Sequence, residues 1–154
     1  MTLDDYLGIG VTVTLGSYTF TPEAIVAFAR KYDPQPFHLS EEAAHGTVFG
    51  RLCASGWHTA SVWMKLNLAA HDDARPWTGP GPKPEFGPSP GFSDLKWLKP
   101  VYAGETVTYT RTALSHRPLG TRPGWRLLSL RSEGFDSTGD KVIAFDSAVL
   151  VKAA

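Results

Sequence analysis

The segment that decides the fold is GWHTASVWMKLNLAA, residues 56–70. Lys65 is its only charged residue, and apolar side chains recur at helical spacing along two stripes. The first stripe comprises Trp57, Ala60, Met64 and Leu68, and the second comprises Val62, Leu66 and Ala69. A helix that is apolar on most of its circumference is usually buried. We therefore predict that this helix lies at the centre of the fold.

The chain that follows alternates apolar and polar residues as an antiparallel sheet does. We predict strands at residues 94–98, around 107–109, and at 125–132 and 142–151, with a hairpin turn at 137–140. One long helix followed by such a meander is an α+β arrangement, with the sheet wrapped around the helix. Between helix and strands, residues 71–92 contain six prolines and four glycines, which predicts a long loop.

The part before the long helix predicts one strand and two shorter helices. Residues 11–15 alternate as a strand, while Thr21 and Pro22 have the types expected of an N-cap and a first helical residue. That helix is expected to deliver the chain to Asp33. Ser40 is the expected cap of another helical turn.

Length and composition limit the classes of function. The 154 residues fit a single domain spanning residues 1–154, and fifteen basic residues balance fifteen acidic ones. The chain therefore has no excess charge that would favour a nucleic acid or a membrane as partner. Cys53 is the only cysteine, so no disulfide forms within the chain, as is typical of a cytoplasmic protein. We expect no signal peptide, no membrane span and a cytoplasmic location.

An acid and a base stand close together in Asp33-Pro34-Gln35-Pro36-Phe37-His38. The two prolines restrict the backbone, so we expect an extended or turning segment with few side-chain directions. A carboxylate and an imidazole held in this way suggest proton transfer. Ala54-Ser55-Gly56 opens the long helix, whose first N–H groups could bind a developing oxyanion.

These motifs resemble those of the MaoC-like dehydratases, hot-dog proteins related to (R)-specific enoyl-CoA hydratases. The resemblance runs from about residue 20 to residue 151, with the motifs in the family's order. It rests on Asp33-x-x-Pro36-x-His38, Phe49-Gly50, Ala54-Ser55-Gly56 and Leu98-Lys99-Pro100-Val101-x-x-Gly104-Glu105-Thr106. The family's usual Gly-Asp-x-Asn-Pro is Tyr32-Asp33-Pro34-Gln35-Pro36 here, so its glycine and asparagine are replaced.

The resemblance implies an α+β hot-dog fold and a specific reaction. The reaction is the reversible, (R)-specific addition of water to a 2-enoyl-CoA, giving a 3-hydroxyacyl-CoA in fatty acid metabolism. Asp33 and His38 would share the water and move its protons, and either could deliver the proton to Cα. The backbone N–H of Gly56 would bind the thioester oxyanion. An acyl-CoA thioester is the implied partner, no metal or organic cofactor is required, and a homodimer or larger homo-oligomer is implied, with residues 71–92 shaping the acyl pocket or the interface.

Other interpretations of the same residues stay open. Asp33 could only start a turn, and His38 alone could be a polar residue with its hydrogen bonds satisfied. His58 is expected to pack or cap rather than react, and the remaining histidines lack metal-ligand spacing. The same fold could serve an acyl-CoA thioesterase, or a non-catalytic subunit that binds acyl-CoA.

Overall fold

A computed structural model describes residues 1–153. The helices are α1 (Leu3–Leu7), α2 (Pro22–Tyr32), α3 (Pro36–Leu39), α4 (Glu41–His45) and α5 (Gly56–Ala69). The strands are β1 (Thr12–Thr19), β2 (Glu85–Phe86), β3 (Gly91–Trp97), β4 (Thr106–Pro118), β5 (Trp125–Phe135) and β6 (Lys141–Lys152). None of these helices is long and apolar enough to cross a membrane.

One antiparallel sheet packs against α5, as predicted. Its order is β1-β4-β5-β6, and both β2 and β3 pair with the free side of β6. The predicted hairpin turn between β5 and β6 is confirmed, because the N–H of Gly139 donates to the carbonyl of Asp136 at 3.0 Å. The strands run longer than the sequence predicted. Residues 71–92 are not all loop, since β2 and the start of β3 lie within them.

The main core lies between α5 and the concave face of the sheet. Val62 and Trp63 of α5 are buried against it, and the hydroxyl of Tyr109 in β4 donates to the carbonyl of Thr59 at 2.9 Å. The prediction that α5 is buried at the centre of the fold is confirmed for one of its faces only. Trp57, Met64 and Leu68 are 48%, 45% and 65% exposed. A helix packed on a single sheet buries one face only, so the outer apolar face remains uncovered in the single chain.

A second apolar cluster lies further along the same face of the sheet, beyond the part that α5 covers. It contains Tyr6 and Leu7 of α1, a helix that sequence analysis did not predict. The capping box formed by Thr2 and Asp5 is the sequence signal that marks its start. From the proline-rich segment, Trp77 packs edge-on against Tyr6, with ring centroids 5.4 Å apart. Trp77 thus helps α1 to cover the part of this face that α5 does not reach.

Candidate active site

Asp33 follows α2 directly, and His38 lies one turn further on. Thr21 caps α2 and Pro22 is its first residue, as predicted. The segment from residue 33 to residue 38 is extended at first and then turns, as predicted. Gln35 is extended, but Pro36 opens the single turn α3, which contains His38. Proline restricts the residue before it and fits the first position of a helix, so the chain turns after Pro36.

His38 is held by a backbone carbonyl. Its ring is buried, and Nδ1 lies 2.6 Å from the carbonyl oxygen of Cys53. A carbonyl only accepts hydrogen bonds, so Nδ1 carries the proton. In the neutral ring, Nε2 is therefore the unprotonated nitrogen, and it lies 3.4 Å from Oδ2 of Asp33. The base function of this imidazole thus faces the carboxylate.

Two hydrogen-bond donors hold the carboxylate of Asp33. The Ser55 hydroxyl donates to Oδ2 at 2.7 Å, and the Gln35 side-chain amide donates to Oδ1 at 2.7 Å. Partial burial raises the pKa of Asp33, but the hydrogen bonds from Ser55 and Gln35 and the nearby His38 together hold it below its ordinary value. The carboxylate is therefore ionised at neutral pH.

Gly56 presents a free donor at the start of α5. Ser55 is the N-cap, and its hydroxyl accepts the N–H of Trp57 at 3.2 Å. The N–H of Gly56 finds no acceptor among residues 1–153. Free N–H groups and the helix dipole both favour negative charge at a helix start. A free N–H at this position can donate to an oxyanion, and this role of Gly56 stays a prediction.

One cavity of about 410 Å³ brings the three predicted residues together. Asp33, His38 and Gly56 all contribute to its wall. The other lining residues are Gln35, Phe37, Phe49, Cys53, Ala54, Trp57, Thr59, Trp97, Leu98, Lys99, Pro100, Val101 and Val142. The wall is mostly apolar, and an acid, an imidazole and a free N–H converge on it, as in small-molecule sites.

Burial disfavours the charged form of two further residues in this region, His58 and Cys53. His58 is buried and stacks on Phe28 with ring centroids 4.7 Å apart, and burial lowers its pKa to about 4. It is a packing residue, as expected. The Cys53 thiol is buried beside His38, and burial raises its pKa to about 11, so it stays protonated. The Cys53 thiolate is not available as a nucleophile at neutral pH.

The chain has relatives among known proteins. The family description "MaoC like domain" matches residues 9–118. This chain belongs to the MaoC-like domain family. A solved structure of a MaoC-like dehydratase from Rhodospirillum rubrum is similar, with 32% identity and a TM-score of 0.80 over 100% of this chain and 98% of the other.

Two other relatives are similar over nearly the full length. The (R)-hydratase from A. caviae involved in PHA biosynthesis is 25% identical, with a TM-score of 0.66 over 95% of this chain and 96% of the other. The uncharacterized protein YdeM of Bacillus subtilis (strain 168) is 25% identical over 99% of both chains. The predicted family and the predicted α+β hot-dog fold are confirmed.

Three contributors to the candidate site were not predicted from the sequence. Ser55 and Gln35 stood in the quoted motifs, but only the structure shows that both donate to Asp33. Trp97 had no sequence signal. Its indole lies where a Cβ on Gly56 would point, with Cε2 only 2.3 Å from that position. Glycine at position 56 is thus required by this ring, whatever ligand the N–H binds.

Proposed function

We propose that this MaoC-like chain is a hydratase/dehydratase of acyl-CoA thioesters. It adds water reversibly to a 2-enoyl-CoA and gives a 3-hydroxyacyl-CoA, with (R) stereochemistry. The observation that carries the proposal is the convergence of Asp33, His38 and the free N–H of Gly56 on one cavity. Membership of a family that includes a dehydratase of known structure supports the general reaction type.

The two side chains suit a water molecule that must lose a proton as it attacks Cβ. The ionised carboxylate of Asp33 and the unprotonated Nε2 of His38 are both acceptors, so each can take a hydrogen bond from the same water. The water loses one proton to this pair, and Cα receives one proton from it. The protonation state of Asp33 and His38 is therefore the same after the reaction as before. Either residue can make the second transfer. General acid–base groups in such positions contribute about a hundredfold or more to the rate.

The N–H of Gly56 suits the charge that develops on the thioester oxygen. Addition to Cβ moves electron density onto that oxygen before Cα is protonated. A donor already in place stabilises this charge at no cost in reorganisation, and a single such donor is typically worth about 3 kcal/mol of barrier. The free amide at the start of α5 also benefits from the dipole of a 14-residue helix.

The reaction proposed here requires no metal or organic cofactor, because water, an acid–base pair and an oxyanion donor supply all its steps. The partner is the acyl-CoA thioester itself. We further propose that the protein acts in the cytoplasm, in fatty acid metabolism. Its single buried thiol and its balanced charge agree with that location.

We also propose that two copies pair through β3. This strand pairs with β6 on one side, and its Phe92 is 59% exposed. An exposed apolar edge strand favours pairing with another chain. Sedimentation of wild type is expected to show a dimer or larger homo-oligomer, and Phe92→Asp is expected to shift it toward monomer. Val13→Asp on the opposite edge strand β1 is the matched control, and dissociation by both variants alike would contradict this interface.

A substrate panel tests the reaction. Purified protein is mixed with crotonyl-CoA and branched enoyl-CoAs, while the conjugated-enoyl absorbance and free thiol are followed. Loss of enoyl absorbance without thiol release is the expected result, and chiral analysis of the product checks the (R) configuration. Thiol release would indicate an acyl-CoA thioesterase instead. No reaction across the panel, together with binding of acyl-CoA, would indicate a non-catalytic subunit.

A further inference from the structure

We propose that Trp57 and Trp97 form a partition at the end of the catalytic cavity that restricts this chain to short acyl groups. The inference rests on the proposed hydratase function and adds the class of substrate. The two indoles meet edge to face, with ring centroids 5.0 Å apart and planes at 83°. Aromatic pairs of this geometry are favourable beyond the area that they bury.

The pair stands between two cavities. Both rings line the catalytic cavity of about 410 Å³. Trp57 also lines a second, apolar groove of about 240 Å³ between α5 and the sheet. The other lining residues of this groove are Ala60, Ser61, Trp63, Met64, Phe92, Leu95 and Phe145. Because Trp57 belongs to both walls, an acyl chain that follows it from the catalytic cavity into the groove meets this pair.

An irregularity in β3 places Trp97 in this position. Ser93 pairs with Asp146 and Lys96 with Ala144, so Asp94 and Leu95 together oppose the one residue between those partners. This is a β-bulge, and Asp94 in it has φ +53°, which aspartate tolerates better than most residues.

The bulge reverses the faces of the residues that follow. Without the extra residue, Lys96 would lie opposite Ile143 of the core, and Trp97 would occupy the next position along β6. With it, Trp97 lies opposite Ile143 and faces α5. The sheet thus directs the indole onto Gly56, beside the predicted oxyanion donor.

The position of the pair leads to an expected substrate class. The thioester must reach the N–H of Gly56, and the indole of Trp97 lies against the same residue. A short enoyl group fits within the catalytic cavity, whereas a longer chain needs the apolar groove and meets the indoles first. Both rings are about half exposed, so removing one opens the passage without emptying the core.

The test compares substrates of different acyl chain length on the whole 154-residue chain. Wild type is expected to hydrate crotonyl-CoA with a kcat/KM at least about tenfold above that for trans-2-octenoyl-CoA. Trp97→Ala is expected to lower this ratio by about tenfold or more, because the additional methylene groups then gain an apolar wall. Trp97→Phe is expected to give an intermediate ratio. Trp125→Ala, which lies outside both cavities, is the matched control and is expected to keep the wild-type ratio.

A binding measurement separates this inference from the proposed function. Calorimetry with butyryl-CoA and octanoyl-CoA gives a ratio of affinities that needs no reaction. If wild type hydrates nothing but Trp97→Ala still gains octanoyl-CoA affinity relative to butyryl-CoA, the reaction is wrong and the partition is right. A chain-length preference that is absent in wild type, or is the same in wild type and Trp97→Ala, overturns the partition. Absence of binding by both proteins also overturns it.

Discussion

Nε2 of His38 and Oδ2 of Asp33 lie 3.4 Å apart, and each group is held by a different residue of one short segment. The carbonyl of Cys53 fixes the imidazole, and the hydroxyl of Ser55 fixes the carboxylate. Both fixing residues belong to the short stretch that leads into α5. The start of one helix therefore orients the acid and the base and also supplies the free N–H of Gly56.

Loss of either member of the pair is expected to abolish most of the hydration activity. Asp33→Asn keeps the shape of the side chain but removes the charge and one acceptor, and His38→Ala removes the imidazole. We expect each variant to lower kcat/KM for crotonyl-CoA by at least about a hundredfold. Initial rates of enoyl-absorbance loss measure this, with circular dichroism to confirm folding.

His45→Ala is the matched control for the histidine, because His45 lies on α4, is exposed and does not line the cavity. Its rate is expected to stay within about twofold of wild type, as for an exposed residue outside the site. Near-normal rates in folded Asp33→Asn and His38→Ala would show that the proposed site is wrong.

The pH profile reports on the hydrogen bonds to Asp33. Burial raises the pKa of this carboxyl, and the Ser55 hydroxyl is the larger of the two hydrogen-bonding causes that lower it. Ser55→Ala removes that donor, so the pKa of Asp33 rises. The carboxylate is then lost at a higher pH, and the acid limb of the kcat/KM profile is expected to move to higher pH.

Gln35→Ala is expected to move the same limb in the same direction by a smaller amount. Ser17→Ala, on an exposed position of β1, is the control and leaves the limb in place. Ser55→Ala also removes the N-cap of α5, which costs about 1 kcal/mol of stability, so the profile is measured well below the melting temperature. An acid limb that does not move in Ser55→Ala would contradict this account of Asp33.

The contact between Gly56 and Trp97 predicts that Gly56→Ala destabilises wild type but does not destabilise a Trp97→Ala variant. In wild type, Gly56→Ala would place a Cβ 2.3 Å from the indole, and such overpacking typically costs about 1–3 kcal/mol. In the Trp97→Ala background the obstacle is gone. The same change should then be neutral or stabilising by up to about 1 kcal/mol, because alanine favours helix more than glycine does.

Urea unfolding of wild type, both single variants and the double variant gives the coupling energy of the two positions. Additive effects would mean that the indole is not what requires glycine at this position.

The fold, and the position of Asp33, His38 and Gly56 around one cavity, could be predicted because each has a local sequence signal. The apolar periodicity of residues 56–70 marks α5, and alternation marks the long strands. Asp33, His38 and Gly56 lie in motifs that resemble those of a family, so their convergence on one cavity could be expected before the structure was known.

The remaining features depend on tertiary packing or on subtle backbone changes. Periodicity identified the apolar stripes of α5, but it could not show that Trp57, Met64 and Leu68 face outward. The orientation of Trp97 depends on one extra residue in β3, and a one-residue shift moves a side chain to the other face of a sheet. Such a bulge has no reliable signal in a single sequence.

The hydrogen bonds of Asp136 predict how the folding stability of the protein changes at acidic pH. Its nearly buried carboxylate accepts hydrogen bonds from Lys99 Nζ at 2.7 Å, from the hydroxyl and N–H of Thr138 at 2.6 and 3.0 Å, and from the N–H of Asp140 at 3.0 Å. The hydrogen bonds from Lys99 and Thr138 hold the pKa of Asp136 far below its ordinary value. A depressed pKa contributes stability that is complete above the ordinary value near 4 and is lost as the pH falls through the folded-state value.

Asp136→Asn is therefore expected to lower the melting temperature by several degrees at neutral pH. The difference in melting temperature between wild type and variant should narrow steadily below about pH 4. Acid protonates Asp136 in wild type and so removes the same charge interactions that the substitution removes. Asp140→Asn is the matched control. The Asp140 side chain is largely exposed and contacts the same lysine. Its substitution should therefore lower the melting temperature much less at neutral pH. A gap of equal size at neutral and strongly acidic pH would mean that Asp136 acts through packing and not through its charge.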